Sequence, residues 1–135
     1  MTADTLVPSL NIFLVEDSTL VRKRLAALLE TVGGVKIVGE ADEPVSALAG
    51  IAAAEDVDIA IVDLQLLDGS SGLTVLKGLA SQHPGIVAIV LTNSALPQYR
   101  DACFAAGARY FFDKATEIGT LRDVVRRFAE GTESV

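Results

Sequence analysis

The stretch Leu10-Asn11-Ile12-Phe13-Leu14-Val15-Glu16-Asp17 decides the fold, because a run of apolar residues ends there on two adjacent carboxylates. A second stretch, Ile59-Ala60-Ile61-Val62-Asp63, repeats the pattern. Short runs of mainly β-branched residues are typical of strands that are buried on both faces of a parallel sheet. If the two strands lie side by side, their carboxyl ends bring Glu16, Asp17 and Asp63 into one cleft.

Three unpaired carboxylates in one cleft repel each other. At a separation of about 4 Å and an effective dielectric constant of about 20, each pair costs on the order of 4 kcal/mol. We therefore expect a cation among these side chains. A few oxygen ligands that leave room for water suit Mg²⁺ better than zinc, since zinc sites favour His and Cys.

The composition is that of a single globular domain. The chain has 135 residues, of which 50% are hydrophobic and 21% are charged, and its formal net charge is -7. This charge disfavours contact with nucleic acids and with anionic membrane surfaces, which attract basic segments, so we expect protein partners.

The first ten residues carry no basic side chain, unlike a secretory signal, and the single cysteine, Cys103, lies in an apolar context that predicts a buried helix position. These features predict a cytoplasmic protein.

Strand-like runs alternate with helical patterns along the chain, which predicts a parallel α/β sheet. Strands are predicted at Leu10 to Val15, Lys36 to Ala41, Asp58 to Asp63, Ile86 to Thr92 and Tyr110 to Asp113. The helices are predicted from Asp17 or Ser18 to Gly33-Gly34, from Pro44 to Ala54, from Leu73 to Ala80, from Leu96-Pro97 to Ala106, and from Thr116-Glu117 to about Glu130. We expect a flexible lead-in over residues 1–9, one domain over 10–130, and a polar tail over 131–135.

Right-handed crossovers with helices on both faces give a doubly wound sheet, and five strands favour the order 2-1-3-4-5. In this arrangement Asp17, Asp63, Thr92 and Lys114 all lie at carboxyl ends of strands. Asp17 could simply be a helix cap, Thr92 a strand residue and Lys114 a surface charge. Asp63 has no such simple interpretation, because a loop follows it and it caps no obvious helix. Together they supply an acidic metal pocket, a carboxylate nucleophile, a hydroxyl and an ammonium, which are the parts that phosphoryl transfer to an aspartate requires.

The residues Glu16-Asp17, Asp63, Thr92 and Lys114, in this order on this pattern, resemble the receiver domain of bacterial two-component response regulators, a flavodoxin-like fold. The resemblance extends from about Leu10 to Glu130 and is closest to stand-alone regulators of the chemotaxis type. It implies that Asp63 is the phosphoacceptor, that Asp17 and Asp63 bind Mg²⁺ directly and Glu16 mainly through water, and that the backbone carbonyl of Gln65 is a further metal ligand. It also implies that Thr92 and Lys114 contact the phosphoryl group, and that Phe111 moves with the switch.

The resemblance further implies a function in signalling rather than in enzymatic turnover of a substrate. The phosphoryl donor would be a histidine kinase or a histidine phosphotransfer protein. Phosphorylation would change the face formed by helix 4, strand 5 and helix 5, including Tyr99, Arg100, Tyr110 and Arg122. That face would bind a downstream target protein or form a homodimer.

Two departures and three alternatives accompany this hypothesis. Glu16 stands where receiver domains more often have aspartate, and Ala115 follows Lys114 where many have proline. The chain could be a receiver fragment of a longer transcriptional regulator. A flavin-phosphate-binding protein of the same topology is disfavoured because Glu16 and Asp17 would repel the phosphate, and an aspartate phosphohydrolase would have an acid at the position of Gln65.

Overall fold

The structure is a computed structural model that describes residues 9–134. The lead-in that the sequence predicts over residues 1–9 lies outside the described residues, apart from the exposed Ser9. Among residues 9–134, no helix has the combined length and hydropathy that a bilayer-spanning segment requires.

A five-stranded parallel sheet forms the centre of the molecule, and its strand order, 2-1-3-4-5, confirms the prediction. The strands are β1 (Leu10–Val15), β2 (Val35–Ala41), β3 (Ile59–Val62), β4 (Val87–Thr92) and β5 (Tyr110–Asp113). The register places Val15 of β1 beside Val62 of β3, so the residues that follow these two strands are neighbours at one edge of the sheet.

Five helices cover the sheet: α1 (Thr19–Leu29), α2 (Pro44–Ala54), α3 (Gly72–Gln82), α4 (Pro97–Ala105) and α5 (Ile118–Glu130). The N-cap of α1 is Ser18, whose side chain accepts a hydrogen bond from Val21, so Asp17 is not needed as a cap. The helix ends earlier than the Gly33-Gly34 pair predicts. Thr31 and Val32 form tight backbone turns onto Leu28 and Leu29, and these turns bury Val32 against the core.

The core consists of two layers, one on each face of the sheet. One layer contains the buried sides of α2, α3 and α4, and the other contains those of α1 and α5. Every residue of β3 is buried, as the apolar run predicts, and full burial of one large aliphatic side chain contributes about 1.5–3 kcal/mol. Successive residues of β5 alternate between the layers: Phe111 belongs to the first and Phe112 to the second. Cys103 is buried as predicted, and it is the only fully buried residue of α4.

Candidate functional site

Glu16, Asp17 and Asp63 come together at the carboxyl ends of β1 and β3. One carboxylate oxygen of each lies within 4.8 Å of the others. The backbone explains this approach, because the amide of Asp63 donates to the carbonyl of Val15 at 2.9 Å and continues the pairing of the two strands. Glu16 and Asp63 are buried, with exposures of 4% and 7%, whereas Asp17 is exposed. The predicted acidic cleft is present.

Lys114 connects two of these acids. Its Nζ lies 2.5 Å from Oε1 of Glu16 and 2.7 Å from Oδ2 of Asp63, and its side chain is 13% exposed. The sequence places Lys114 near the site but gives no sign of its bond to Glu16, because these residues are 98 positions apart. One ammonium group therefore holds both buried carboxylates.

Burial and pairing act against each other on the ionisation of this group. Burial raises the pKa of Glu16, and its hydrogen bonds from Lys114 and Ser18 compensate only in part. Burial alone would lower the pKa of Lys114, but hydrogen bonds to Asp63 and Glu16 outweigh this effect and raise it. Lys114 therefore remains charged at neutral pH, and this one ammonium stands against three carboxyl groups.

The loop after β3 contacts Asp63 through its backbone. Oδ1 of Asp63 accepts the Gln65 amide at 3.2 Å. Gln65 forms an isolated antiparallel bridge with Ser71, and the hydrogen bonds of this bridge come from the flanking residues Leu64, Leu66, Ser70 and Gly72. In such a pair, the amide and carbonyl of the bridged residue both point away from the partner strand. The Gln65 carbonyl therefore does not bond to the partner segment of this bridge, and its role as a metal ligand remains a prediction.

Gly72 packs against the backbone carbonyl of Asp63, a contact that the sequence interpretation missed. A Cβ atom at this position would lie 2.1 Å from the carbonyl oxygen of Asp63 and 2.9 Å from Cγ1 of Val62. Only glycine lets the start of α3 approach the backbone of Asp63 so closely. Its sequence signal is weak, because Gly69 and Gly72 form no known glycine motif.

Thr92 and Phe111 lie on the strands next to the acids. Thr92 is fully buried at the end of β4, where its carbonyl accepts the amide of Lys114 at 2.9 Å and its hydroxyl oxygen accepts the amide of Ser94 at 3.2 Å. Phe111 is buried opposite Val90 in the α2–α4 layer. Thr92 thus adjoins Lys114 through the backbone, and a moving Phe111 remains a prediction.

The predicted docking face needs one correction. Tyr99 and Arg100 are exposed on α4, and Tyr110 of β5 packs edge-on against Phe128 of α5. Arg122 is not beside them, because its guanidinium donates two hydrogen bonds to Thr31, on the side of α5 that faces α1.

Among the arginines of α5, it is Arg127 and not Arg122 that lies near Tyr110. Arg127 and Tyr110 both donate hydrogen bonds to Glu133, so this residue of the predicted polar tail lies against the face. Five residues along a helix correspond to a rotation of roughly 140°, which is why the two arginines point to different neighbours.

Comparison with known proteins agrees with this geometry. Residues 12–126 match the family model described as the response regulator receiver domain. A parallel sheet of order 2-1-3-4-5, with acids and a lysine at its carboxyl edge, defines a phosphoacceptor module of two-component signalling. The chain belongs to the response regulator receiver domain family.

The relatives are longer than this chain. The nitrate/nitrite response regulator NarP of Escherichia coli is 30% identical over 122 residues, which are 90% of this chain and 56% of NarP. A protein-glutamate methylesterase of Myxococcus xanthus is 30% identical over 119 residues, 87% of this chain and 34% of that enzyme. The chain spans between 44% and 60% of the length of NarP and of three other bacterial regulators that it matches.

Solved structures share the fold. A LuxR-family two-component response regulator from Aurantimonas aligns with a TM-score of 0.82 at 23% identity, covering 91% of this chain and 86% of that one. The response regulator domain of Thermotoga maritima CheB aligns with a TM-score of 0.78 at 16% identity, covering 90% and 97%.

Proposed function

We propose that Asp63 accepts a phosphoryl group from a phosphohistidine on a kinase or phosphotransfer protein, and that this chain relays the signal through a protein-binding surface. The observation that carries the proposal is the buried Asp63 carboxylate, paired with Lys114 and adjoining two further acids. Family membership gives the class of reaction, and this geometry supports the assignment of the residues.

The transfer requires one bond to form and one to break. An oxygen of the Asp63 carboxylate attacks phosphorus in line, the P–N bond of the phosphohistidine breaks, and the imidazole leaves with the electron pair. The Asp63 carboxylate is oriented before the reaction, because the Gln65 amide binds its Oδ1 and Lys114 binds its Oδ2. After transfer, Lys114 stays within reach of the new phosphoryl oxygens, and the hydroxyl of Thr92 would need to turn away from Ser94 to reach them.

The residues present fit a hard divalent cation. Three carboxylates whose oxygens lie within 4.8 Å of one another offer the hard oxygen ligands that such an ion prefers, and the single ammonium of Lys114 does not balance three carboxylate charges. We infer that Asp17, Asp63 and the Gln65 carbonyl would hold Mg²⁺, with Glu16, whose two oxygens bond Lys114 and Ser18, acting through water. The ion would neutralise charge on the transferring phosphoryl group.

The proposed output surface is the face of α4, β5 and α5. Leu96, Tyr99 and Phe104 are large apolar side chains on or next to α4 that remain 53%, 42% and 40% exposed, which favours a protein partner there. A downstream target is the first candidate, and a homodimer through the same face is the second. Phosphorylation of Asp63 would act on this face through Thr92 and Phe111, which lie on β4 and β5.

Three further parts of the proposal concern the whole protein. The domain would extend over residues 10–130, the protein would act in the cytoplasm, and the chain itself would catalyse only its own phosphorylation and dephosphorylation.

A second candidate function is the receiver part of a longer transcriptional regulator, because relatives such as NarP and DevR/DosR carry regulatory or DNA-binding names and are longer than this chain. The mass of the protein in its native cells distinguishes the two.

Intact-mass measurement after incubation with a small phosphodonor tests the proposal. With Mg²⁺, the parent should gain one phosphoryl group that is lost in base, and Asp63→Asn should gain none. Chelation of Mg²⁺ should prevent labelling of the parent. Equal labelling of the parent and of Asp63→Asn would overturn the assignment.

A further inference from the structure

We propose that Asp113 and Glu117 are positioning residues for Lys114: they hold the loop after β5 in the conformation that directs the lysine into the acidic cluster. This inference rests on the proposed function of the Asp63 site. It concerns the loop in which Ala115 follows the lysine, a segment that the mechanism above does not explain.

Three consecutive amides around Lys114 each have a partner. The amide of Asp113 donates to Oε1 of Glu117 at 2.9 Å, that of Lys114 donates to the carbonyl of Thr92 at 2.9 Å, and that of Ala115 donates to Oδ1 of Asp113 at 2.8 Å. The amide of Glu117 returns to the carbonyl of Asp113 at 2.8 Å. Asp113 and Glu117 therefore clamp each other across the loop, with Lys114 between them.

Apolar burial does not fix this loop, which is why the clamp matters. Ala115 and Thr116 are exposed, and Asp113 and Lys114 are only partly buried. A lysine side chain has many rotamers, so its ammonium reaches two acids at 2.5 Å and 2.7 Å only if its backbone is held in a fixed direction. Hydrogen bonds from neighbouring side chains provide that constraint.

The residue after the lysine makes the clamp chemically possible. Alanine at position 115 has a backbone N–H that Asp113 can bind, whereas proline would have none. The carboxylate of Asp113 accepts this N–H in the way that Asp side chains commonly stabilise turns two residues ahead. The chain thus replaces the rigidity of a proline ring with a hydrogen bond.

The test measures the rate of phosphorylation by a small phosphodonor with Mg²⁺. Asp113→Ala should lower the rate about tenfold, since small misplacement of a catalytic group has effects of this order or larger. Asp113→Asn keeps an acceptor oxygen and should remain within about twofold of the parent. Asp123→Ala removes an exposed acid from α5 and serves as the matched control, with no change expected.

A double-variant comparison separates positioning from a loss of folding. In a Lys114→Ala background, Asp113→Ala should have no further effect on the rate, because Asp113 acts through Lys114. An equal tenfold loss in both backgrounds, an unchanged rate for Asp113→Ala, or an equal loss for Asp113→Asn would each overturn the proposal.

Nuclear magnetic resonance tests the clamp independently of phosphorylation. In Asp113→Ala, the Ala115 amide should exchange with solvent at least about tenfold faster, and the Cε resonance of Lys114 should move toward that of an exposed lysine. If the exchange rate of the Ala115 amide and the Cε resonance of Lys114 both stay unchanged, the clamp is refuted. If the parent takes up no phosphoryl group, the proposed function fails, and these two signals alone decide on the clamp.

Discussion

Replacement of Lys114 by methionine removes the ammonium that bonds to both Glu16 and Asp63, and keeps most of the side-chain volume. Oxygens of these two carboxylates lie within 4.8 Å of each other. At this separation and an effective dielectric constant of about 20, two full charges repel by about 3.5 kcal/mol. Protonation of one acid limits the loss, so we expect Lys114→Met to lower the free energy of unfolding by about 3 kcal/mol at about pH 8, within the range measured for broken buried ion pairs.

Urea unfolding followed by circular dichroism, in buffer with a metal chelator, measures this loss. The repulsion should shrink as the pH falls, because burial raises the pKa of Glu16 and this carboxyl accepts a proton early. The gap between the variant and the parent should therefore be larger at about pH 8 than at about pH 5. Saturating Mg²⁺ should also narrow the gap, since a cation at the acids replaces the lost ammonium.

Lys77→Met is the matched control, because Lys77 is exposed on α3. Its substitution should change the free energy of unfolding by less than about 0.5 kcal/mol. If Lys114→Met is no more destabilising than Lys77→Met, or if Mg²⁺ stabilises the variant no more than the parent, the electrostatic reasoning about the cluster is refuted.

Three further predictions follow from single contacts. Gly72→Ala should destabilise the fold by about 1–3 kcal/mol in urea unfolding, because its Cβ would collide with the Asp63 carbonyl. Gly119→Ala, whose Cβ would have nothing within 4 Å, should be neutral or stabilising, and equal effects of the two substitutions would contradict the predicted collision. Asp17→Asn should weaken Mg²⁺ binding about tenfold or more by titration calorimetry, while Asp101→Asn on the exposed side of α4 should not; unchanged affinity would remove Asp17 from the metal site. Burial raises the pKa of the Cys103 thiol to about 11, so an aromatic disulfide reagent at about pH 8 should react with it only after unfolding; rapid labelling of the folded protein would show that the thiol is accessible.

Much of this fold could be predicted from local patterns. Apolar runs such as Leu10–Val15 and Ile59–Val62 identify buried strands because full burial on two faces requires continuous hydrophobicity, and their carboxyl ends locate the acids. The end of α1 could not be predicted in the same way. The glycine pair at 33 and 34 is a stronger local stop signal than the turn at Thr31 and Val32, which is set by packing of Val32 into the core.

The parts of the site that the sequence did not reveal depend on distant contacts. The pairing of Lys114 with Glu16 joins opposite ends of the chain, and the approach of Gly72 to Asp63 depends on how α3 packs on β3. The side of α5 on which Arg122 lies depends on the rotation of that helix against the sheet, which composition does not report. Residue types at strand ends indicate which chemistry to propose, but tertiary packing decides which groups touch.

The proposed function requires that the side chain at position 63 carries the phosphoryl group. Borohydride reduces an acyl phosphate to the alcohol, so reduction of the phosphorylated protein followed by peptide mass spectrometry shows which carboxylate was modified. We predict homoserine in place of Asp63, formed only when Mg²⁺ and the phosphodonor are both present. Homoserine at another acid, or an unmodified Asp63 in protein shown to carry one phosphoryl group, would contradict the account.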